Sequence, residues 1–282
     1  MLEIVSEHAC FGGVQGFYSH QSTAIGLPMR FSVYQPPQAK LGPVPVLFFL
    51  AGLTATEETF MMKAGAQRLA AELGMMLVAT DTSPRSTGIA DATKDWDFGE
   101  GAGFYLDATA TPWNTHFKME TWVVDELRAL IVNNFPARGD RIGIFGHSMG
   151  GHGALTLALH HPDIYRSVSA FAPISAPTQC AWGEKAFGNY LGPDRELWKQ
   201  HDASELMRLR QNPYPNGILV DQGLGDKFLA QQQLKPELFA AACEIAGQPL
   251  TLRRHADYDH GYYFISTFIG DHLAFHSANL AG

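Results

Sequence analysis

Apolar and polar positions alternate along residues 15–36, and within that stretch MRFSVYQ (29–35) predicts a strand with one face buried. Pro36 and Pro37 end it. Val44 to Leu50 is nearly continuous apolar sequence, which suits a strand covered on both faces. Helical spacing follows over about 57–73, and MMLVATD (75–81) predicts a second buried strand. Further on the pattern predicts a helix over about 117–134 and a strand at Arg141–Phe145. A sharp turn follows over Gly146–Gly151, then a helix from Gly153 to His160 that Pro162 closes. Strands at 167–172, 218–220 and 249–254, a helix at about 236–246 and a last helix from near His260 complete the series.

Strands alternating with helices imply parallel crossovers and a mostly parallel central sheet with helices on both faces. Two stretches break the rhythm. Residues 82–116 are rich in Gly, Asp, Thr and aromatics, and 175–215 is irregular. Long segments of this kind in a folded domain usually carry function. Both are expected to be excursions above the sheet of a single domain spanning 1–282, since no repeat or low-complexity linker divides the chain.

Composition narrows the class. The 282 residues are 46% hydrophobic and 17% charged, enough to bury a large core and too apolar for disorder. A formal charge of −8 argues against nucleic acid or an anionic membrane as partner. Cys10, Cys180 and Cys243 are odd in number and far apart, so no disulfide framework is expected. The first residues show no signal-peptide pattern, and no apolar run is long enough to span a bilayer. Together these point to a cytoplasmic chain.

The chemistry concentrates in RIGIFGHSMGGHGALTLAL, which holds G-x-S-x-G as Gly146-His147-Ser148-Met149-Gly150. An apolar strand enters this pentapeptide and a helix leaves it. That context strains the serine backbone and lifts its Oγ above a sheet, the nucleophile elbow of the α/β-hydrolase fold. A glycine-rich turn with an incidental serine, as in phosphate sites, would look similar. Here neither GxxxxGK[ST] nor GxGxxG is present.

A serine hydroxyl needs a base to take its proton, and the base needs a carboxylate to orient it. In this fold the order is Ser, then Asp or Glu, then His, each in a loop after a late strand. GILVD is followed by QGLGDKF, offering Asp221 at the strand end and Asp226 in the loop; the loop position favours Asp226. PLTLRR is followed by HADYDHGYYF, where His260 at the loop tip is preferred over His255 beside the strand. Asp257 and Asp259 are expected to form a polar turn capping the last helix. Two oxyanion donors are also required. The N–H of Met149, after the nucleophile, and the N–H of Leu53, behind Gly52 in the loop after the strand at 44–51, fit.

Beyond the pentapeptide, the segments LAGLT (50–54), WDFGEGAGFYLDAT (96–109), GHSMGGHGAL (146–155), FAPISAP (171–177), WGEKAFGNYLG (182–192), DQGLGDKFL (221–229) and YDHGYYFI (258–265) run through nearly the whole chain. Together they resemble the S-formylglutathione hydrolases, the esterase D family. The resemblance implies a Ser148, Asp226, His260 triad with Leu53 and Met149 as oxyanion donors. It also implies hydrolysis of a glutathione thioester to glutathione and formate, in glutathione-dependent formaldehyde removal, without a metal or organic cofactor. The chain departs from the family where a Cys commonly follows Gly-Leu-Thr and here Ala55 stands, and where a Ser commonly follows the catalytic His and here Gly261 stands. Trp96, Phe98 and Trp182 are candidate walls of a small acyl pocket, with core packing as their alternative role. Lys94, Lys118 and Lys185 read first as exposed charges. Oligomeric state is left open, a homodimer being one candidate. Three other functions stay in view: a general short-chain carboxylesterase, an acyltransferase of the same superfamily, and a non-catalytic binding protein on a hydrolase fold.

Overall fold

The computed structural model describes residues 2–281. Nine strands form one sheet: β1 (Leu2–Cys10), β2 (Gly13–Gln21), β3 (Pro28–Gln35), β4 (Val44–Leu50), β5 (Met76–Thr80), β6 (Ala137–His147), β7 (Tyr165–Phe171), β8 (Ile218–Gly223) and β9 (Leu250–His255). Their order is β1-β2-β3-β5-β4-β6-β7-β8-β9. The first three pair antiparallel, and β3 pairs antiparallel with β5. From β5 to β9 every neighbour is parallel. This is the α/β-hydrolase fold expected from the sequence. The central strands β4 and β5 read as nearly unbroken apolar runs because both faces are covered.

The helices are α1 (Glu57–Lys63), α2 (Gln67–Leu73), α3 (Met119–Thr121), α4 (Arg128–Asn134), α5 (Met149–His160), α6 (Ala181–Tyr190), α7 (Arg195–Trp198), α8 (Ala203–Arg208), α9 (Lys227–Ala230), α10 (Pro236–Ile245) and α11 (Tyr262–Leu280). One face of the sheet carries α1, α2 and α11. There Phe60 stacks on Phe49, and His272 stacks on Phe171 at 3.8 Å. The other face carries α5, with α8 and α10 packed beyond it. No helix among the described residues is long and apolar enough to cross a membrane.

Three expectations need correction, and one strand has no signal in the pattern: β1 is an edge strand that pairs with β2 and is largely exposed, so it lacks an apolar stripe. The helix expected over 57–73 is two helices, broken where Gly65 takes a left-handed φ of 68°. The helix after Gly146 starts at Met149 rather than Gly153. The glycines that lower its local propensity are demanded by close packing around the turn. Finally, 175–215 is mostly helical. In α6 the buried Trp182, Ala186 and Tyr190 recur every four residues, a helical stripe.

The two excursions pack on each other. Tyr190 of α6 lies among Phe98, Trp113 and Phe117, with ring centroids 4.8–5.5 Å away. Its hydroxyl accepts from Gly99 N–H and donates to Ala102 O. A buried aromatic cluster thus fixes the loop at 82–116 over the carboxyl ends of the strands.

Candidate active site

Ser148 sits between β6 and α5 with φ 58° and ψ −119°, a conformation costly for a residue with a side chain, of order 1–3 kcal/mol. The surroundings hold it there. Ser148 N–H donates to Phe171 O at 2.9 Å, and its carbonyl accepts from Ile174 and His152 N–H at 3.2 and 3.0 Å. The flanking glycines follow from the same turn. A Cβ on Gly146 would lie 2.1 Å from Gly150 O, and one on Gly150 would lie 1.9 Å from Leu50 O. The turn closes only where backbone meets backbone.

His260 lies in the loop between β9 and α11, and its Nδ1 is 2.5 Å from Asp226 Oδ2. Asp226 is the N-cap of α9, accepting from Phe228 N–H at 2.8 Å, and Gln222 Nε2 donates to it at 3.2 Å. Burial alone would raise the Asp226 carboxyl pKa. The hydrogen bond and charge of His260, then Phe228 N–H and Gln222, more than offset this and hold it below the usual carboxylate range. The imidazole is flanked by the Phe228 ring at 4.9 Å and the His147 ring at 4.4 Å. Because Nδ1 faces a carboxylate, it carries the proton, which leaves Nε2 as the basic nitrogen. Ser148 Oγ and His260 Nε2 are not hydrogen-bonded to each other but line the same cavity, a spacing such pairs often tighten with substrate bound.

The competing residues have other duties. Asp221 accepts a bidentate pair from Arg253, with Nε at 2.6 Å and Nη2 at 2.5 Å, and a longer bond from His272 Nε2 at 3.3 Å. From there runs a buried chain. His272 Nδ1 and His276 Nε2 lie 2.7 and 2.8 Å from Ser169 Oγ, and His276 Nδ1 lies 2.7 Å from Ser167 Oγ. Burial holds both histidines neutral, so each serine donates to a ring nitrogen in turn. His255 is stacked on Phe268 at 3.8 Å. As expected of a capping turn, Asp259 accepts from Gly261 N–H, the N-cap of α11, at 2.8 Å.

Leu53 follows β4, and Gly52 brings its loop against the elbow: a Cβ on Gly52 would lie 3.2 Å from Ser148 Cβ. No hydrogen-bond acceptor occupies Leu53 N–H among the described residues, and Met149 N–H is an unspent donor of the first turn of α5. The cavity that Leu53 borders is about 320 Å³. Its lining includes Leu53, Trp96, Ser148, Trp182 and His260. Trp96 and Trp182 meet edge to face at 5.7 Å. Phe98 is not part of it; that ring packs on Trp113 at 4.6 Å and Tyr190 at 4.8 Å, so its place is the aromatic cluster under the loop. Five further wall residues, Thr59, Lys63, His147, Phe228 and Tyr262, were not anticipated. Phe228 and Tyr262 stand two positions after Asp226 and His260, and His147 precedes Ser148, so proximity in sequence was their signal. Lys63 had none. Of the lysines read as exposed, Lys185 pairs with Asp97 at 2.6 Å and Asp95 at 2.8 Å, and Lys118 donates to Ala108 O at 2.8 Å.

The family described as Esterase matches residues 22–275. An S-formylglutathione hydrolase of Paracoccus denitrificans is 51% identical over 278 residues, 99% of this chain and 98% of that protein. The chain belongs to the S-formylglutathione hydrolase family. One from Rattus norvegicus is 49% identical over 279 residues, 99% of each chain. A solved S-formylglutathione hydrolase from Agrobacterium tumefaciens superposes with a TM-score of 0.95 at 48% identity, covering 99% of both chains. Membership makes the protein a hydrolase of the esterase class. Ala55 lines the cavity, and Gly261 follows His260.

Proposed function

We propose that this protein hydrolyses S-formylglutathione to glutathione and formate, with Ser148 as nucleophile, His260 as base and Asp226 as its orienting carboxylate. The observation that carries the reading is the strained Ser148 elbow sharing one cavity with an imidazole whose Nδ1 is bound to a buried carboxylate. Identity of 51% and 49% over 99% of the chain to proteins named S-formylglutathione hydrolase supports the substrate.

The chemistry follows from the atoms. His260 Nε2 takes the Ser148 proton as Oγ bonds to the formyl carbon. The carbonyl electron pair moves to oxygen, where the N–H groups of Leu53 and Met149 receive it. Collapse re-forms the C=O bond and breaks the C–S bond; His260 gives its proton to the departing sulfur. Water, deprotonated by the same nitrogen, attacks the formyl-serine. The second collapse breaks the bond to Oγ as His260 returns the proton to Ser148, and releases formic acid, which gives its remaining water proton to solvent as formate. Asp226 stays ionised throughout and stabilises the imidazolium. A formyl group carries a single hydrogen besides its carbonyl, which suits a small cavity walled by Trp96 and Trp182.

Incubation with an organophosphate followed by mass spectrometry tests the nucleophile: one adduct, on Ser148, is expected, with parallel loss of thiol release from S-formylglutathione. Full turnover after complete labelling of Ser148, or by a Ser148→Ala variant, would overturn the assignment.

A further inference from the structure

One charged side chain at the cavity remains unaccounted for by the acyl chemistry. Lys63, in the last turn of α1, lines the wall shared by Ser148 and His260, with its ammonium 5.8 Å from the centroid of the Tyr262 ring. Among the described residues it is the one lysine or arginine in that lining. Among the described residues no carboxylate lies within 4.0 Å of it. Its position also marks a junction. Past Lys63 lies a second recess of about 450 Å³, lined by Lys63, Tyr262, Tyr263 and Ser266, so the lysine borders both the reaction cavity and an open groove.

A lysine at a helix C-terminus complements the macrodipole wherever it points. That role alone does not call for a groove of tyrosines and a serine around it. The thioester does. Glutathione brings two carboxylates and one ammonium, a net negative charge, to a chain that is itself at −8. An unpaired ammonium at the rim offsets that repulsion where it matters and offers a carboxylate a charge-assisted hydrogen bond. Tyr262 Oη is buried and has no partner among the described residues, so that residue offers its ring, whereas Tyr263 is 89% exposed and offers both ring and hydroxyl to a peptide-like chain. Lys227 is differently placed. Its recess on the other side of His260 also contains Asp259, and its ammonium sits over the Phe228 ring at 4.8 Å.

We propose that Lys63 binds a carboxylate of the glutathione moiety and lays that moiety along Tyr262, Tyr263 and Ser266, with its sulfur directed at Ser148. This rests on the thioesterase reading of the site. Lys63 is then a specificity residue: it distinguishes a glutathione thioester from a neutral ester with the same acyl group, and contributes to binding rather than to bond-breaking.

The test compares wild type with Lys63→Met, Lys63→Arg and, as a control, Lys227→Met. For each, kcat and KM are measured on S-formylglutathione, and inhibition constants are measured for S-methylglutathione and its diethyl ester, neither of which is a thioester. Lys63→Met is expected to raise KM and the S-methylglutathione inhibition constant together by roughly 5–10-fold, with kcat within about twofold. Lys63→Arg restores most of the loss. The diethyl ester, with its carboxylates masked, binds wild type and Lys63→Met alike, and the two monoethyl esters reveal which carboxylate is held. An unchanged S-methylglutathione constant in Lys63→Met, or an equal loss for the diethyl ester, or the same loss in Lys227→Met, overturns the proposal. Failure of the thioesterase reading shows elsewhere, as absent S-formylglutathione turnover by wild type, and leaves the inhibition comparison readable.

Discussion

Two aspartates five residues apart should respond in opposite ways to the same isosteric change. Asp226→Asn keeps an oxygen to accept from Phe228 N–H, but presents His260 Nδ1 with a neutral amide in place of the carboxylate 2.5 Å away. The imidazole then loses its fixed tautomer and the charge that stabilises its protonated form. Comparable changes in serine hydrolases lower kcat by about 10³–10⁴, or roughly 4–5.5 kcal/mol of transition-state stabilisation. Global stability should move by only about 1 kcal/mol at neutral pH, since two of its three bonds can re-form with an amide. Asp221→Asn is the converse. Its side chain is fully buried, and its charge holds Arg253 and lies beside His272 and His255. Breaking one partner of a buried ion pair costs about 3–5 kcal/mol. Arg253 is 31% exposed and keeps Asp271 at 2.6 Å, so about 2–3 kcal/mol is the better figure. For a chain of this size that lowers Tm by roughly 5–10 °C. Calorimetry and thiol-release kinetics on both variants separate the cases. A stable, inactive Asp221→Asn beside an active Asp226→Asn would refute the triad as drawn.

Three further outcomes follow. Gly150→Ala forces its Cβ toward Leu50 O and Ala51 O, at 1.9 and 2.5 Å if nothing moves, and should cost about 3 kcal/mol or more and most of the activity, read by urea unfolding and turnover. Glu120 accepts from His160 Nδ1 at 2.8 Å and His161 Nε2 at 3.1 Å; burial would raise its pKa, yet these partners bring it down to about 2, while Glu120 in turn overcomes burial to raise His160. A carboxyl lowered in the folded state contributes stability above its unfolded value of about 4.3, lost as pH falls toward 2; the raised His160 contributes below about 6.5 and loses its share as pH rises through its folded value. Glu120→Gln should therefore cost roughly 1–3 kcal/mol near pH 5–6 and flatten the acid limb of stability against pH, and an unchanged acid limb would contradict this. Gly261→Ser adds a hydroxyl at the N-cap of α11 in an extended conformation any residue adopts, so a gain of a few tenths of a kcal/mol by thermal unfolding is expected, tempered by the Asp259 oxygen 3.2 Å from the new Cβ.

How far the sequence could be read depended on whether each signal was local. The elbow was legible because one strained turn imposes glycines at fixed positions around Ser148. The Asp226–His260 contact was legible because this fold is expected to carry an acid and a base after late strands, and the runners-up Asp221 and His255 sit within strands. The start of α5 was not legible: its glycines lower helix propensity, and only the approach of Leu50 O makes them necessary. Phe98 shared its aromatic-glycine stretch with Trp96, and nothing in spacing told which ring would face the cavity and which the cluster around Tyr190. Lys63 was invisible for the same reason. It reads as an ordinary polar residue closing a helix, and acquires meaning only when α1 and the start of α11 meet beside Ser148.

The claim that most needs testing is the substrate. Wild-type kcat/KM should be measured side by side for S-formylglutathione and for neutral short-chain acetyl esters, with product analysis in the presence of alcohol acceptors. The account predicts a preference for S-formylglutathione of at least about 100-fold, with formate and free glutathione as the products. Neutral esters preferred by a wide margin, or formyl transfer to alcohol outpacing hydrolysis, would contradict it.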